Sequence, residues 1–316
     1  MSNIFEALQR AEAERSGGDV PKAADTVADL LLGVEKEIER ERSFSELPSA
    51  GLAAELPPVE KPPSAAIEAF VPTKVIVPSV TADSRLVCLT DQGGLAAEKF
   101  RVLGLKLRYL REKRKLKRIV ITSSIPEEGK SLVSSNLALN QSRSKVLKTV
   151  LIDGDLRRPE LARRFGFHRS LAGLSEVLRG ERRLSDVVYK IEGSGLWFMP
   201  AGVTPENPLD LMQSARMQQL LEQLETFFDW IIIDTPPIRP LADTPLWMKL
   251  ADGMLLVTRE GVCDKKQLER AVEVVDRSLM LGLVVNSCSS NEHKYYYSRY
   301  DPAANAEESS APAAKN

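Results

Sequence analysis

The chain has 316 residues, with 43 Lys or Arg against 44 Asp or Glu and a formal net charge of −1. That length fits one large or two ordinary domains, and the balanced charge gives no global field that favours nucleic acid or a membrane surface. Cys88, Cys263 and Cys288 are scattered and there are only two histidines, His168 and His293, which speaks against a disulfide framework or a zinc site and for a reducing cytoplasm.

No apolar run approaches the roughly 20 residues that span a bilayer. The opening MSNIFEALQRAEAERSG lacks the long apolar core and small-residue cleavage site of a signal peptide. A cytoplasmic protein is expected, one still able to dock on something in a membrane. Ile4, Phe5, Leu8 and Ala11 recur at helical spacing and predict a short amphipathic helix. It reads either as a docking element or as a solvated helix packed on its own domain. A second helical stretch, roughly 22–42, carries Leu30, Leu31 and Leu32 and then KEIERER. The SELPSAGLAAELPPVEKPPSAA that follows reads as a Pro/Ala-rich linker. Residues 1–84 are therefore taken as a helical extension and linker.

From 85 to 290 the pattern changes. Short β-branched runs alternate with helical segments: RIVITSS (118–124), TVLIDGD (149–155), LWFMP (196–200), WIIIDTPP (230–237), GMLLVT (253–258) and LGLVVNS (281–287). Strands this apolar are buried on both faces, so the expected fold is α/β, a doubly wound, mostly parallel sheet flanked by helices. The basic run REKRKLKR (111–118) precedes the first strong strand. It reads as a contact for phospholipid or phosphotyrosine, or as a solvated helix end that suits the dipole.

The segment Ser124–Ser131, S-I-P-E-E-G-K-S, is a P-loop with serine in place of the first glycine. Pro126, Glu127, Glu128, Gly129, Lys130, Ser131 and Leu132 are the expected phosphate-binding residues. Gly129 lets backbone N–H groups curl toward a phosphate, Lys130 brings positive charge, and Ser131 offers a hydroxyl to Mg²⁺. The following helix adds its N-terminal dipole. TVLIDGD ends in Asp153 and Asp155, followed by Arg157, and WIIIDTPP carries Asp234. In open α/β sheets the ligand sits at the carboxyl ends of the strands, so these carboxylates fit a Mg-nucleotide site.

IVITSSIPEEGKS, VLIDGDLRRP and DWIIIDTPP together resemble the Walker A, A′ and B motifs of bacterial tyrosine autokinases (BY-kinases) of exopolysaccharide and capsule assembly. The resemblance continues in GLSEVLRGE (173–181) and PAGVTPENPLDLMQS (200–214), and covers about 90–300. It implies a P-loop fold shared with the Min and Par partition ATPases. Those carry a second lysine five residues before the invariant one, where this chain has Ile125. The alternative, a non-kinase switch ATPase of the partition type, therefore lacks its key residue.

The resemblance further implies ATP and Mg²⁺ as ligands, with Ser131, Asp155 and Asp234 serving the metal and Lys130 and Asp153 catalytic. Asp153 would be the proton acceptor; a second metal ligand or a structural cap of the loop are its other readings. Asn286, closing LGLVVN, is the adenine contact by the same resemblance. Tyr295, Tyr296, Tyr297 and Tyr300, four of the six tyrosines, sit in HKYYYSRY. On local grounds they form an edge strand or a sticky loop. The resemblance makes them phosphoacceptors, followed by a polar tail, so that 291–316 is a tyrosine cluster and flexible segment. It implies phosphorylation in trans within a ring of copies, a separate membrane co-polymerase as activator, and a phosphotyrosine phosphatase.

Two departures stand out. In the ring motif E-x-x-R-x-x-R, Glu98 and Arg101 fit but Gly104 replaces the second arginine, which puts the ring in question. Glu98 and Arg101 also read as an ordinary i,i+3 pair on a solvated helix. Glu127 stands where many P-loops of this kind have glycine; its carboxylate either points to solvent or slows turnover.

Overall fold

The computed structural model describes residues 74–167, 170–238 and 243–287. The expected N-terminal helices, most of the linker, both histidines, Cys288 and the tyrosine cluster lie outside the described residues. No helix among the described residues is long and apolar enough to cross a membrane.

Eight strands build one sheet: β1 (Val75–Ile76), β2 (Arg118–Ser123), β3 (Thr149–Asp153), β4 (Tyr189–Ile191), β5 (Leu196–Met199), β6 (Trp230–Asp234), β7 (Gly253–Arg259) and β8 (Met280–Asn286). Their spatial order is β1-β4-β5-β3-β6-β2-β7-β8. All neighbours run parallel except β4 and β5. The six strands expected from the sequence all form. β1 and β4 were not anticipated, and β1 lies upstream of residue 85.

Five of the helices carry the packing: α1 (Leu95–Lys113), α2 (Lys130–Gln141), α3 (Ala215–Phe227), α4 (Asp243–Lys249) and α5 (Lys265–Val274). The strand period of two divides each central strand between two cores. Ile119, Ile121, Leu151 and Ile232 join Leu107 of α1 and Leu137 of α2 on one face. Val120, Val150, Ile152, Ile231 and Ile233 join Leu221 and Leu224 of α3, Trp247 of α4 and Ala271 of α5 on the other. The fold is therefore doubly wound.

Helix α2 is buried along nearly its whole length although seven of its twelve residues are polar. Each polar group must then find a partner. Asn136 accepts from the Cys88 amide at 3.0 Å and donates to the carbonyls of Arg85 and Leu132. Gln141 donates to the Gly104 carbonyl at 3.2 Å and accepts from Arg108 Nε at 2.9 Å. At Gly104 α1 and α2 come close: a Cβ there would lie 2.4 Å from Asn140 Oδ1, itself buried. The glycine thus has a packing reason. Arg101 and Glu98 form an i,i+3 ion pair on the exposed side of α1, each about 40% exposed.

The basic run is largely consumed by the fold. Arg111 pairs with Asp229 at 3.3 Å and lies over the Trp230 ring at 4.9 Å. Arg114 donates to the carbonyls of Ser278 and Asp252. Lys117 donates to the Glu225 carbonyl at 2.8 Å, and Arg118 pairs with Glu225 at 2.8 Å. Most of its cations tie the end of α1 and the start of β2 to α3 and neighbouring loops, while Lys113, Arg114 and Lys115 stay exposed.

Restoring the ring-motif arginine should be costly. Gly104→Arg is expected to lower stability by about 1–3 kcal/mol through overpacking of the α1–α2 contact, read from urea unfolding.

Candidate active site

The P-loop follows directly from β2. Its backbone is tied by its own side chains: Ser123 Oγ donates to the Ile125 carbonyl at 2.7 Å, and Glu128 accepts from the Ile125 amide at 2.9 Å. Glu128 is fully buried, and its other oxygen accepts from Thr258 Oγ1, near the end of β7, at 2.9 Å. Asn286, at the end of β8, donates from Nδ2 to the Glu128 carbonyl at 2.9 Å. The two strands beyond β2 thus brace the loop, and Asn286 sits against the loop itself.

Gly129 takes φ +93°, and a Cβ there would meet Asn286 Nδ2 at 2.1 Å. Only glycine suits both demands. Glu127 also takes a left-handed φ, of +66°, and its side chain is exposed. This shows why glycine would suit the position: the cost of Glu127 is conformational, while its carboxylate is turned to solvent. Pro126 is exposed as well, Leu132 is half-buried, and Ser131 is buried at the first turn of α2.

Parallel pairing brings the acidic residues to one edge. Asp153 and Asp234 are register partners at the ends of β3 and β6. Lys130 Nζ lies 3.5 Å from Asp155 Oδ2, 3.7 Å from Asp234 Oδ2 and 3.2 Å from Ser131 Oγ. Burial alone would lower the Lys130 pKa; Asp234, Asp155, Asp153 and Glu160 together more than offset it and raise it. The ammonium form is secured.

Asp153 is fully buried and accepts from the amides of Asp155 at 3.3 Å and Leu161 at 3.0 Å. Burial pushes its pKa well above the usual carboxylate range, Asp234 adds to the rise, and the Leu161 amide and Lys130 hold it down in part. Burial also raises Asp234, against the charge of Lys130. Neither Asp234 oxygen receives a well-formed hydrogen bond: the nearby Ser134 hydroxyl donates to the Ser131 carbonyl instead.

A buried carboxylate that lacks well-formed hydrogen bonds and shares a single ammonium with its neighbours suits a further cation. Asp234, Asp155 and Ser131 are hard oxygen donors that fit Mg²⁺. No set of three or more His, Cys, Asp or Glu side chains among the described residues converges as a full metal cage. Mg²⁺ commonly takes one or two carboxylates and completes its shell from phosphate and water.

The sequence-predicted residues of the P-loop and of the two Asp-ended strands therefore come together in one place, with Asn286 beside them. Sequence reasoning missed Thr258, whose signal was its position near the end of an apolar strand at the same edge. It also missed Asp243 and Trp247 of α4, which touch the loop after β3 and carry no local signature. A cavity of about 860 Å³ lies elsewhere, beside the amino ends of β3 and β5, lined in part by Arg143, Lys148, Gly195 and Trp197. It shares no residue with the P-loop.

The chain is 32% identical over 215 residues to the tyrosine-protein kinase YwqD of Bacillus subtilis, which covers 67% of this chain and 89% of YwqD. Among solved structures, the chimerical protein CapA2B2 superposes with a TM-score of 0.62 at 27% identity, covering 68% of this chain and 95% of that one. The kinase domain of the Escherichia coli tyrosine kinase ETK superposes with a TM-score of 0.59 at 29% identity, covering 65% and 82%. No family model matches the sequence.

The strained P-loop position offers a direct check. Glu127→Gly should relieve the left-handed backbone and raise stability by about 1 kcal/mol, seen as a higher urea midpoint at an unchanged slope.

Proposed function

The chain belongs to the bacterial tyrosine kinases of capsule and exopolysaccharide assembly, and from that premise we propose that it transfers the γ-phosphoryl group of ATP to Tyr295, Tyr296, Tyr297 and Tyr300 of a second copy. The observation that carries this reading is the grouping of Lys130 with Asp153, Asp155 and Asp234 behind a P-loop.

In this reading the amides around Gly129 and the start of α2 hold the phosphates, and Lys130 neutralises charge that builds on the transferred group. Ser131, Asp155 and Asp234 would hold Mg²⁺, which supplies further neutralisation when bound. A tyrosine hydroxyl titrates near pH 10, so it needs a proton acceptor at pH 7. Asp153 is the assigned base. The two amides fix its orientation, and the nearby Lys130 charge favours the ionised form that a base needs. Asn286 braces the loop and is kept as the adenine contact.

Phosphorylation of four tyrosines adds about −6 to −8 charges. Such a charge is repelled from a carboxylate-lined site and loosens a ring of copies. A separate membrane co-polymerase would recruit and activate the kinase at the inner face of the membrane, and a phosphotyrosine phosphatase would reset it. The cycle then regulates polysaccharide polymerisation or export. With Gly104 in the ring motif, Glu98 and Arg101 remain to mediate assembly.

Incubation with Mg-ATP followed by mass spectrometry tests this. The tail tyrosines should gain phosphate, and Lys130→Met should abolish it. ATP consumed with an unmodified tail would instead favour the switch ATPase. Asp153→Asn should keep ATP binding within about twofold and cut phosphotyrosine formation roughly 100-fold or more; full activity in that variant would remove Asp153 from the mechanism.

A further inference from the structure

Helix α4 touches two loops of the site, those after β3 and β6. Thr244 Oγ1 donates to the Pro236 carbonyl at 2.8 Å, and Thr122 of the P-loop strand donates to the same carbonyl at 2.8 Å. The loop after β6 is thereby tied both to α4 and to β2.

Asp243 and Trp247 stand four residues apart on α4, so both face the same side. Each is essentially buried, 1% and 0% exposed. Asp243 accepts from Arg157 Nε at 2.7 Å and from Arg157 Nη2 at 3.0 Å, a two-pronged contact of the strong, directional kind. Trp247 Nε1 donates to the Gly154 carbonyl at 3.1 Å. The loop after β3 is thus gripped at two points.

Between those points lie the groups that matter. Gly154 N–H donates to the Asp234 carbonyl at 2.7 Å, and a Cβ on Gly154 would press on that carbonyl and on the Trp247 ring, both within 3 Å. The amides of Arg157 and Arg158 donate to Asp155 Oδ1 at 3.3 and 2.9 Å, which leaves Oδ2 directed at Lys130. A shift of residues 154–158 therefore moves the Asp155 carboxylate, and it shifts the Asp155 amide that Asp153 Oδ1 accepts.

We propose that Asp243 and Trp247 are positioning residues for phosphoryl transfer, setting the 154–158 loop so that Asp153 and Asp155 stand correctly against Lys130. The proposal rests on the roles assigned to Asp153 and Asp155 above. A misplacement of about 1 Å at reacting groups can cost 100-fold in rate, so two side chains that touch no substrate can still govern turnover.

The test uses the full chain and the variants Asp243→Asn, Trp247→Phe and Arg157→Lys. Hydrogen exchange of the protein without nucleotide comes first. Asp243→Asn should speed exchange of the amides of residues 155–158 roughly tenfold, the scale of one charge-assisted hydrogen bond lost, and leave β2 and β7 unchanged. With Mg-ATP, phosphotyrosine formation should fall roughly 10- to 100-fold in kcat, with KM within about twofold. Trp247→Phe should act in the same direction more weakly.

Arg157→Lys keeps the charge and loses the fork, and should fall between wild type and Asp243→Asn. It decides the matter should Asp243→Asn fail to fold. Unchanged exchange at 155–158 in these variants, or a loss in which KM rises as far as kcat falls, would overturn the proposal. A wild-type chain that consumes ATP and makes no phosphotyrosine would refute the kinase reading instead. In that case the exchange data still decide whether α4 sets the loop.

Discussion

Lys130 lies within 3.7 Å of both Asp155 and Asp234, with Asp153 fully buried on the neighbouring strand end. One ammonium thus answers three carboxylates in a region largely closed to water. The imbalance is expensive in a folded chain without ligand, because a buried charge that lacks a partner costs several kcal/mol. The parallel sheet makes it unavoidable: carboxyl ends of neighbouring strands share an edge, and two of these strands end in aspartate. Whatever brings positive charge to that edge relieves the strain, so ligand binding and stability are linked through the same side chains.

The remainder of the site is arranged to hold that edge still. β7 and β8 reach the P-loop through Thr258 and Asn286. The loop after β6 is stapled to β2 and α4 through the Pro236 carbonyl. The segments 173–181 and 200–214 meet through Glu176, which accepts from the amides of Gly173 and Val203. None of these contacts is apolar. The two cores on either side of the sheet supply cohesion, and hydrogen bonds fix the loops they leave exposed.

Much of this was legible in the sequence where the demand is local. A P-loop needs glycine, lysine and a hydroxyl at fixed spacing, and six apolar runs bounded by turns announced six strands. The misses have a common cause. β1 and β4 are two and three residues long, too short for a period of two to show. Arg157 and Asp243 are 86 residues apart and Gly154 and Trp247 are 93 apart, so nothing nearby marks them. The basic run looked free because Asp229, Glu225 and Asp252 lie far along the chain. Gly104 and Glu127 were visible as departures, but their meaning needed a neighbour in one case and a dihedral angle in the other.

The strand β1 has one further consequence. It is an edge strand of two residues, held to β4 by a few hydrogen bonds, with four strands between it and the P-loop strand β2 in the order of the sheet. So short a ladder opens at a lower free-energy cost than the central strands do. Fraying at that margin leaves β2, β3 and β6 in register, and the strand ends that carry Lys130 and its carboxylates stay where they are.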